Sequence, residues 1–465
     1  MNFAGRKALV LGLGDTGLSM AKWLSRRGAD VRVADTRAEP PQLEALRRSL
    51  PAVPASCGPL RDASFAGADL IAISPGLPLA EPHVQRALAA GARAVGDVEL
   101  FAQALRAGER TVAITGTNGK TTVTSLAGAM ARAAGSDCEV AGNIGPAVLD
   151  ALMRREDAGK RPDLWVLELS SFQLETTDSL AAGAATVLNI SEDHLDRYRG
   201  LDDYAAAKAR IFAGGGMQVL NRDDARSLAM ALPGRTTVTF GLDAPRRDED
   251  WGLIERGGET WLAQGKEALL PVRGMKLAGL HNAANALAAL SAAQVCGVPL
   301  TVAAAHLGEF RGIRRRLEVV GASNGITVID DFAHNPDKIS ATLETMHAFP
   351  GRLLLMFQPH GYGPIRLMRD ALVECFASGL QVEDVLVMPE PVYFGGTVDR
   401  SVGSKDIVGD IERGGRKAFA FADRGACGDM LVKLARPGDR IVVMGARDDS
   451  LSQFARELLR RLAGT

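Results

Sequence analysis

The sequence predicts an α/β protein of three consecutive domains with mainly parallel sheets. Apolar strand-length runs alternate with helical patterns along the whole chain. At 465 residues it is longer than one hydrophobic core organises. Two early strand-to-helix junctions are also glycine-rich in forms suited to phosphate.

The first domain is placed at 1–105. Lys7-Ala-Leu-Val-Leu-Gly-Leu-Gly-Asp-Thr-Gly17 reads as a strand followed by G-x-G-x-x-G at Gly12, Gly14 and Gly17. A helical pattern follows to about Arg27, then a strand from Asp30 to Ala34, with Asp35 at its end. This spacing is that of a dinucleotide fold, so NAD is the ligand that the motif alone suggests. A further apolar run, Asp69 to Ile73, feeds the tight turn Ser74-Pro75-Gly76, at the strand edge where such sheets bind ligands.

The second domain, 106–309, carries Ala113-Ile-Thr-Gly-Thr-Asn-Gly-Lys-Thr-Thr122 between a strand (Arg110 to Thr115) and a helix (Thr121 to Ala134). Backbone N–H groups of Gly116, Thr117, Asn118 and Gly119 would face polyphosphate, Lys120 supplies a cation, and Thr121 or Thr122 offers a hydroxyl to a phosphate-bound Mg²⁺. Ile114 stands where the common P-loop pattern has its first glycine, so the turn is shorter or differently shaped. Strands are expected at Leu164 to Leu169, Ala185 to Ile190 and Gln218 to Leu220, then an alanine-rich helix from Gly279-Leu-His-Asn-Ala-Ala-Asn285 to Cys296.

A triphosphate site needs hard ligands for its metal. Glu168 ends a buried-looking strand, where a charge is costly unless it is paired with an arginine or bound to metal. His194 follows another strand among Asp193 and Asp196, which favours a protonated or metal-facing imidazole. By spacing alone Lys208 is a surface lysine, on a helix whose Ile211 and Phe212 face the core and whose alanines leave open space around it.

The third domain, 310–465, alternates again, with strands at Ile326 to Ile329, Arg352 to Phe357, Asp384 to Met388 and Arg440 to Met444. His334 and His360 each follow a strand at the expected ligand edge, and Arg314-Arg-Arg316 reads as a phosphate-facing run or a solvated hinge.

Composition narrows the function classes. The net charge of −1, from 54 basic and 55 acidic residues, favours neither nucleic acid nor an anionic membrane. No apolar run reaches the ~18 to 20 residues that span a bilayer, so a soluble, cytoplasmic monomer is expected. Five cysteines lie far apart without a C-x-x-C pair, which points to reduced, buried thiols.

Read together, the motifs resemble the Mur ligases, the ATP-dependent amide-bond formers of peptidoglycan precursor synthesis. The resemblance rests on Leu11-Gly-Leu-Gly-Asp-Thr-Gly-Leu-Ser19, Ala34-Asp-Thr-Arg37, Ile73-Ser-Pro-Gly76, the phosphate loop, Ala141-Gly-Asn-Ile-Gly145, Leu167-Glu-Leu-Ser-Ser-Phe-Gln-Leu174 and Asn189-Ile-Ser-Glu-Asp-His-Leu-Asp196. Residues 1 to about 310 are most similar to the D-glutamate-adding branch, which implies a Rossmann-like first domain, a P-loop ATPase-like second and a Rossmann-like third.

It also implies roles. Thr16, Asp35, Thr36, Arg37, Ser74, Pro75 and Gly76 would hold the uridine diphosphate end of UDP-N-acetylmuramoyl-L-alanine, displacing the NAD reading, with Asn143 and Ser170 on the muramoyl part. ATP would be held by Gly116 to Thr122, Asn282, Arg316 and Asp331, and Mg²⁺, two ions by family pattern, by Thr121, Glu168, His194 and a carbamylated Lys208. Lys120, Glu168, His194 and Lys208 would carry catalysis through an acyl phosphate.

The third domain departs from that branch. Where its members carry a lysine two residues after the aspartate corresponding to Asp331, this chain has Ala333. Asp330-Asp-Phe-Ala-His-Asn-Pro336 and Phe357-Gln-Pro-His360 are closer to the L-alanine-adding or murein-peptide-recycling branches. His334, His360 and Arg366 are expected at the amino-acid pocket, with Lys338 and Arg400 as further candidate cations for glutamate. The alternatives are another amino acid or acceptor (L-glutamate, L-alanine onto UDP-N-acetylmuramate, peptide recycling) and a non-catalytic nucleotide-binding module. The presence of Lys120, Glu168, His194, Lys208 and Asp331 disfavours the last of these.

Overall fold

The computed structural model describes the chain except residues 1–2, 195–196, 278, 311, 393–399, 446–447, 449 and 465. Among the described residues there are three sheets. The first comprises β1 (Lys7–Leu11), β2 (Asp30–Asp35), β3 (Ala55–Cys57), β4 (Leu70–Ile73) and β5 (Arg93–Val95), in the order β3-β2-β1-β4-β5 with parallel pairing. Both faces of the central strands are covered, which is why Ala8 to Leu11 and Leu70 to Ile73 are unbroken apolar runs.

The second sheet is built from β6 (Arg110–Thr115), β7 (Cys138–Gly142), β8 (Leu164–Glu168), β9 (Ala184–Val187), β10 (Met217–Asn221), β11 (Thr237–Phe240), β12 (Trp251–Arg256), β13 (Glu259–Gln264) and β14 (Glu267–Pro271). Its order is β14-β13-β12-β11-β10-β9-β6-β8-β7. The parallel core matches the expectation, but β12, β13 and β14 add an antiparallel meander that the alternating pattern did not announce. The strand expected at Ala185 to Ile190 ends at Val187. Beyond it, backbone groups turn to other partners: the Asn189 carbonyl accepts from Thr117 N–H, and Ile190 N–H donates to the Asp224 carboxylate at 2.8 Å.

The third sheet, β15 (Glu318–Ser323), β16 (Ile326–Asp331), β17 (Leu353–Gln358), β18 (Val385–Pro389), β19 (Lys417–Phe421) and β20 (Arg440–Gly445), runs β15-β16-β20-β17-β18-β19. All its pairings are parallel except β15 with β16.

The first two sheets belong to one compact unit, Met1–Met275 with Asn282–Phe310, and the third to another, Lys276–His281 with Arg311–Thr465. Within the first unit a single apolar cluster runs from Phe3 through Leu220. Phe101 meets Trp165 edge-on at 4.9 Å inside it. The helix Asp97–Ala102 carries two acids across to the second sheet's side. Glu99 accepts from Asp178 N, Ser179 N and Ser179 Oγ at 2.8, 2.9 and 2.8 Å, and Asp97 accepts from Gln173 Nε2 at 3.2 Å.

Burial pushes the Asp97 carboxyl up to about 6 from its ordinary 3.8, against the opposing hydrogen bond from Gln173. The raised value fixes the sign of a pH effect. Below about pH 4 both folded and unfolded forms are protonated and Asp97 costs nothing; between 4 and 6 the unfolded side chain ionises first, so stability falls as pH rises, and it levels off above 6. The loss is of order ~3 kcal/mol. Asp97→Asn keeps an oxygen for Gln173 and removes the titration. Its stability relative to wild type, from urea unfolding, is expected to improve by ~1–3 kcal/mol between pH 4 and pH 7; parallel pH profiles would contradict the assignment.

Four of the cysteines are buried or half-buried, and Cys57 is exposed; no disulfide forms among them. Burial pushes the Cys138 and Cys375 thiols up to about 11 and the Cys296 and Cys427 thiols up to about 12, so they are inert filler at neutral pH.

Candidate active site

The first glycine motif turns at the end of β1. Gly12 has φ +90°, and a Cβ at Gly17 would overlap the Gly12 carbonyl oxygen, so the helix Asp15–Arg26 approaches the strand only because that position lacks a side chain. Asp35, at the end of β2, is buried and accepts from Leu13 N at 2.6 Å and from Arg37 N, Nε and Nη2 at 2.8, 2.9 and 2.6 Å. Burial works to raise its pKa, but these hydrogen bonds prevail and hold it below the usual carboxylate range. Ser74 Oγ donates to the Gly12 carbonyl at 3.1 Å, tying the second turn to the first.

These turns open on a cavity of about 700 Å³ lined by Thr16, Asp35, Thr36, Arg37, Ser74, Pro75 and Gly76, and by Asn143 and Gln173 from the central domain. Eight residues expected from sequence at the substrate thus meet in one space. Ser170 lies one step away. It caps the short helix Ser171–Leu174, donating to Gln173 Oε1 at 3.2 Å and accepting from Gln173 N at 3.2 Å.

The phosphate loop follows β6. Gly119, with φ +81°, precedes the helix Lys120–Ala133 and presents that helix's N-terminus to the loop. Lys120 Nζ donates to the carbonyls of Gly116 and Thr117 at 2.8 and 2.9 Å. Asn189 Oδ1 accepts from Asn118 N at 2.8 Å, so the strand edge after β9 braces the loop. A Cβ at Gly119 would overlap Asn285 Oδ1, and Asn285 Nδ2 donates to Asn282 Oδ1 at 3.3 Å; the helix Leu280–Val295 therefore brings Asn282 to the loop's flank.

Glu168 closes β8 and is 1% exposed. Its Oε1 accepts from Asn143 Nδ2 at 2.7 Å, while its buried Oε2 has no hydrogen-bond partner among the described residues. An orphaned carboxylate oxygen in that position fits a cation better than it fits the alternative arginine pair, of which there is none at Glu168 among the described residues. His194 adopts a left-handed backbone, φ +56°, a strained choice for a non-glycine residue; its ring packs on Phe172 at 4.7 Å with Asp193 Oδ1 3.8 Å from Nδ1. Asp196, its other expected acidic neighbour, lies outside the described residues.

Lys208 corrects the surface reading. It is 1% exposed on the helix Leu201–Ala209, with Nζ 2.9 Å from the Gly116 carbonyl, 3.3 Å from Thr115 Oγ1 and 4.6 Å from the centre of the Tyr204 ring. The alanines around it let the helix lie close to the phosphate loop, and the lysine fills that space. Tyr204, whose phenol is pushed up by burial, stays neutral and accepts from Thr117 Oγ1 at 3.3 Å.

In the second unit, Arg316 stands between Arg315 and Leu317, both with positive φ, and its guanidinium lies 4.7 Å from the centre of the Phe332 ring. The arginine run is not a wholly solvated hinge. Arg315 is buried, donates to the Gly445 carbonyl at 2.8 Å and faces Asp330 at 3.5 Å. Asp331 accepts from Leu317 N, Phe332 N and Thr342 Oγ1 at 3.1, 2.9 and 2.6 Å. His334 is half-buried after β16 and His360 half-buried after β17, whereas Arg366 is exposed on the helix Tyr362–Leu367.

Comparison with known proteins decides the family. The Mur ligase MurD-like N-terminal domain matches residues 6–96, the Mur ligase middle domain 114–293 and the Mur ligase glutamate ligase domain 315–447. The UDP-N-acetylmuramoylalanine–D-glutamate ligase of Nitrosospira multiformis is 58% identical over 337 residues, 71% of each chain, and that of Nitrosomonas eutropha is 46% identical over 448 residues, 91% of each. The chain belongs to the Mur ligase family. The fold agrees: the UDP-N-acetylmuramate-alanine ligase of Thermotoga maritima, at 22% identity, aligns with a TM-score of 0.62 over 98% of this chain and 99% of its own.

Two residues at this candidate site, Arg197 and Gln173, escaped the sequence reading. Arg197 donates to the carbonyls of Pro75 and Leu77 at 2.9 and 3.2 Å, pairs with Glu175 at 2.6 Å and lies 4.4 Å from the centre of the Phe172 ring. It ties its own segment to the turn that lines the 700 Å³ cavity. Gln173, next to the recognised Ser170, is oriented by Asp97. Only the second had a signal, a glutamine three residues after a serine, which is a capping box.

Proposed function

We propose that this Mur ligase joins glutamate, D-glutamate as in the names of its relatives, to UDP-N-acetylmuramoyl-L-alanine at the expense of ATP. The observation that carries this reading is the cavity of about 700 Å³ that unites the Thr16, Asp35–Arg37 and Ser74–Gly76 set with Asn143 of the central domain. One end of that cavity suits a nucleoside diphosphate, and Asn143 connects it directly to Glu168 beside the phosphate loop.

The chemistry follows from charge. The acceptor's carboxylate attacks the γ-phosphate of ATP, giving an acyl phosphate and ADP; the amine of glutamate then attacks the acyl carbon and phosphate leaves. Lys120, in the loop, offsets charge on the transferring group, and the helix N-terminus after Gly119 adds backbone N–H donors to the same end. The resemblance assigns Arg316 as a further cation for the triphosphate.

Mur ligases use ATP and Mg²⁺. Thr121, Glu168 and His194 are the groups that would hold Mg²⁺, which supplies Lewis-acid neutralisation of the phosphate oxygens when bound. Among the described residues no three His, Cys, Asp or Glu side chains cluster as a metal site. A carbamate on Lys208 would provide a further anionic oxygen, serving two ions.

The deciding experiment is phosphate release measured over UDP-muramoyl acceptors crossed with L- and D-amino acids. Turnover confined to UDP-N-acetylmuramoyl-L-alanine with glutamate is the expected result; preference for alanine or another uncharged amino acid would overturn it.

A further inference from the structure

The turn Ser74–Leu77 follows a strand of the first sheet and the segment that carries His194 follows a strand of the second, both within one compact unit. Arg197 is bonded to both. Its Nη1 donates to the Pro75 carbonyl at 2.9 Å and its Nη2 to the Leu77 carbonyl at 3.2 Å, and both of those residues line the 700 Å³ cavity. Its own backbone N–H donates to the His194 carbonyl at 2.9 Å. Nε and Nη2 meet the two oxygens of Glu175 at 3.1 and 2.6 Å, a bidentate grip that a planar fork makes and an ammonium does not.

Glu175 comes directly after the helix Ser171–Leu174, which itself follows Glu168 and β8. The same carboxylate accepts from the Tyr198 hydroxyl at 2.7 Å. Phe172, on that helix, takes the Arg197 guanidinium at 4.4 Å and the His194 ring at 4.7 Å from its centre. A left-handed backbone at a non-glycine residue persists only where its surroundings over-determine it. At His194, φ +56°, those surroundings include the N–H groups of Arg197 and Tyr198, both donating to its carbonyl, and the Phe172 ring. One guanidinium is thus fastened to the cavity turn, to the helix after Glu168 and, through its own backbone, to His194.

We propose that Arg197 is a positioning residue that couples acceptor binding to the His194 end of the phosphate site. A nucleoside diphosphate seated in the cavity fixes the Pro75 and Leu77 carbonyls; these fix the guanidinium, and the guanidinium holds Phe172 and the turn at His194 in place for the Mg²⁺-bound triphosphate. The proposal rests on the reading above, in which the cavity takes the acceptor and His194 faces the metal.

The test compares wild type, Arg197→Lys and the double variant Arg197→Met/Glu175→Gln. The first keeps charge and stem but loses the fork; the second removes the pair without stranding a carboxylate. Calorimetry gives the Kd of a non-hydrolysable ATP analogue with Mg²⁺, alone and with saturating UDP-N-acetylmuramoyl-L-alanine. The Kd of that acceptor for wild type is measured first; if it does not bind, the acceptor reading falls and this proposal with it. In wild type the acceptor is expected to tighten the analogue by about fivefold or more, and in both variants by less than about twofold, while each ligand alone binds within about threefold of wild type. By reciprocity, the acceptor Kd measured in the presence of the analogue should weaken in the variants by the factor lost. Thermal melts identify a variant that does not fold, and Arg197→Lys decides if the double variant fails. Coupling below about twofold in wild type, or wild-type coupling in a folded variant whose Tm has dropped, would overturn the proposal and leave Arg197 as a staple, with the acceptor reading intact.

Discussion

Lys208→Ala is expected to reduce ligation by about 10³-fold or more, ~4 kcal/mol in transition-state stabilisation. Two roles for Lys208 predict that loss, and they differ in what restores it. If the side chain acts as an ammonium beside the Gly116 carbonyl, small amines such as ethylamine should rescue the alanine variant. If it acts as a carbamate, short carboxylates such as acetate should do so, because they return an anionic oxygen to a space otherwise closed by Thr115, Gly116 and Tyr204. We expect rescue by acetate and not by ethylamine. A second measurement does not depend on turnover: protein equilibrated with ¹³C-bicarbonate should give a carbamate carbon resonance that is missing from Lys208→Ala. Rescue by amines alone, with no such resonance, would exclude the carbamate.

The second large effect is expected at Lys120. Its ammonium is fixed by two loop carbonyls, so Lys120→Met removes a positioned charge without removing the stem that packs along the loop. A drop of ~10³-fold in kcat/KM for ATP is expected, from weaker triphosphate binding and from lost stabilisation as charge gathers on the transferring group. The muramoyl acceptor should still bind by calorimetry with unchanged Kd, because the cavity proposed for its diphosphate end is lined by other residues. An equal loss of acceptor affinity would mean that the substitution has deformed the loop and not just discharged it.

Much of this site was legible because it is written in contiguous stretches. A phosphate loop, a strand ending in Glu168 and a turn at Ser74-Pro75-Gly76 each contain their own geometry in a few neighbouring residues. What was hidden depends on residues far apart. Arg197 reaches Pro75 across 122 positions and Gln173 reaches Asp97 across 76, and the capping box that marks Gln173 locally says nothing of its distant partner. Lys208 misled for a related reason: alanines on every side suggest an open helix surface, yet small residues are what allow a helix to press against a loop. The strand that stopped short at Val187 was apolar enough to continue, but its next backbone groups serve Thr117 and Asp224. Ala333 shows the reverse case, where an absence in the sequence acquired meaning only from the core that surrounds it.

The continuous core of the first compact unit carries a consequence for how such a chain can be altered by inheritance. Acceptor cavity and phosphate loop sit on one block of packing, from Phe3 through Leu220, so a crossover within it would sever the contacts that align the two. A crossover at Phe310, where that unit ends, leaves both intact and exchanges only the domain that carries Ala333, His334 and Lys338. Recombination at that junction would join an existing first unit to a different third sheet in a single event.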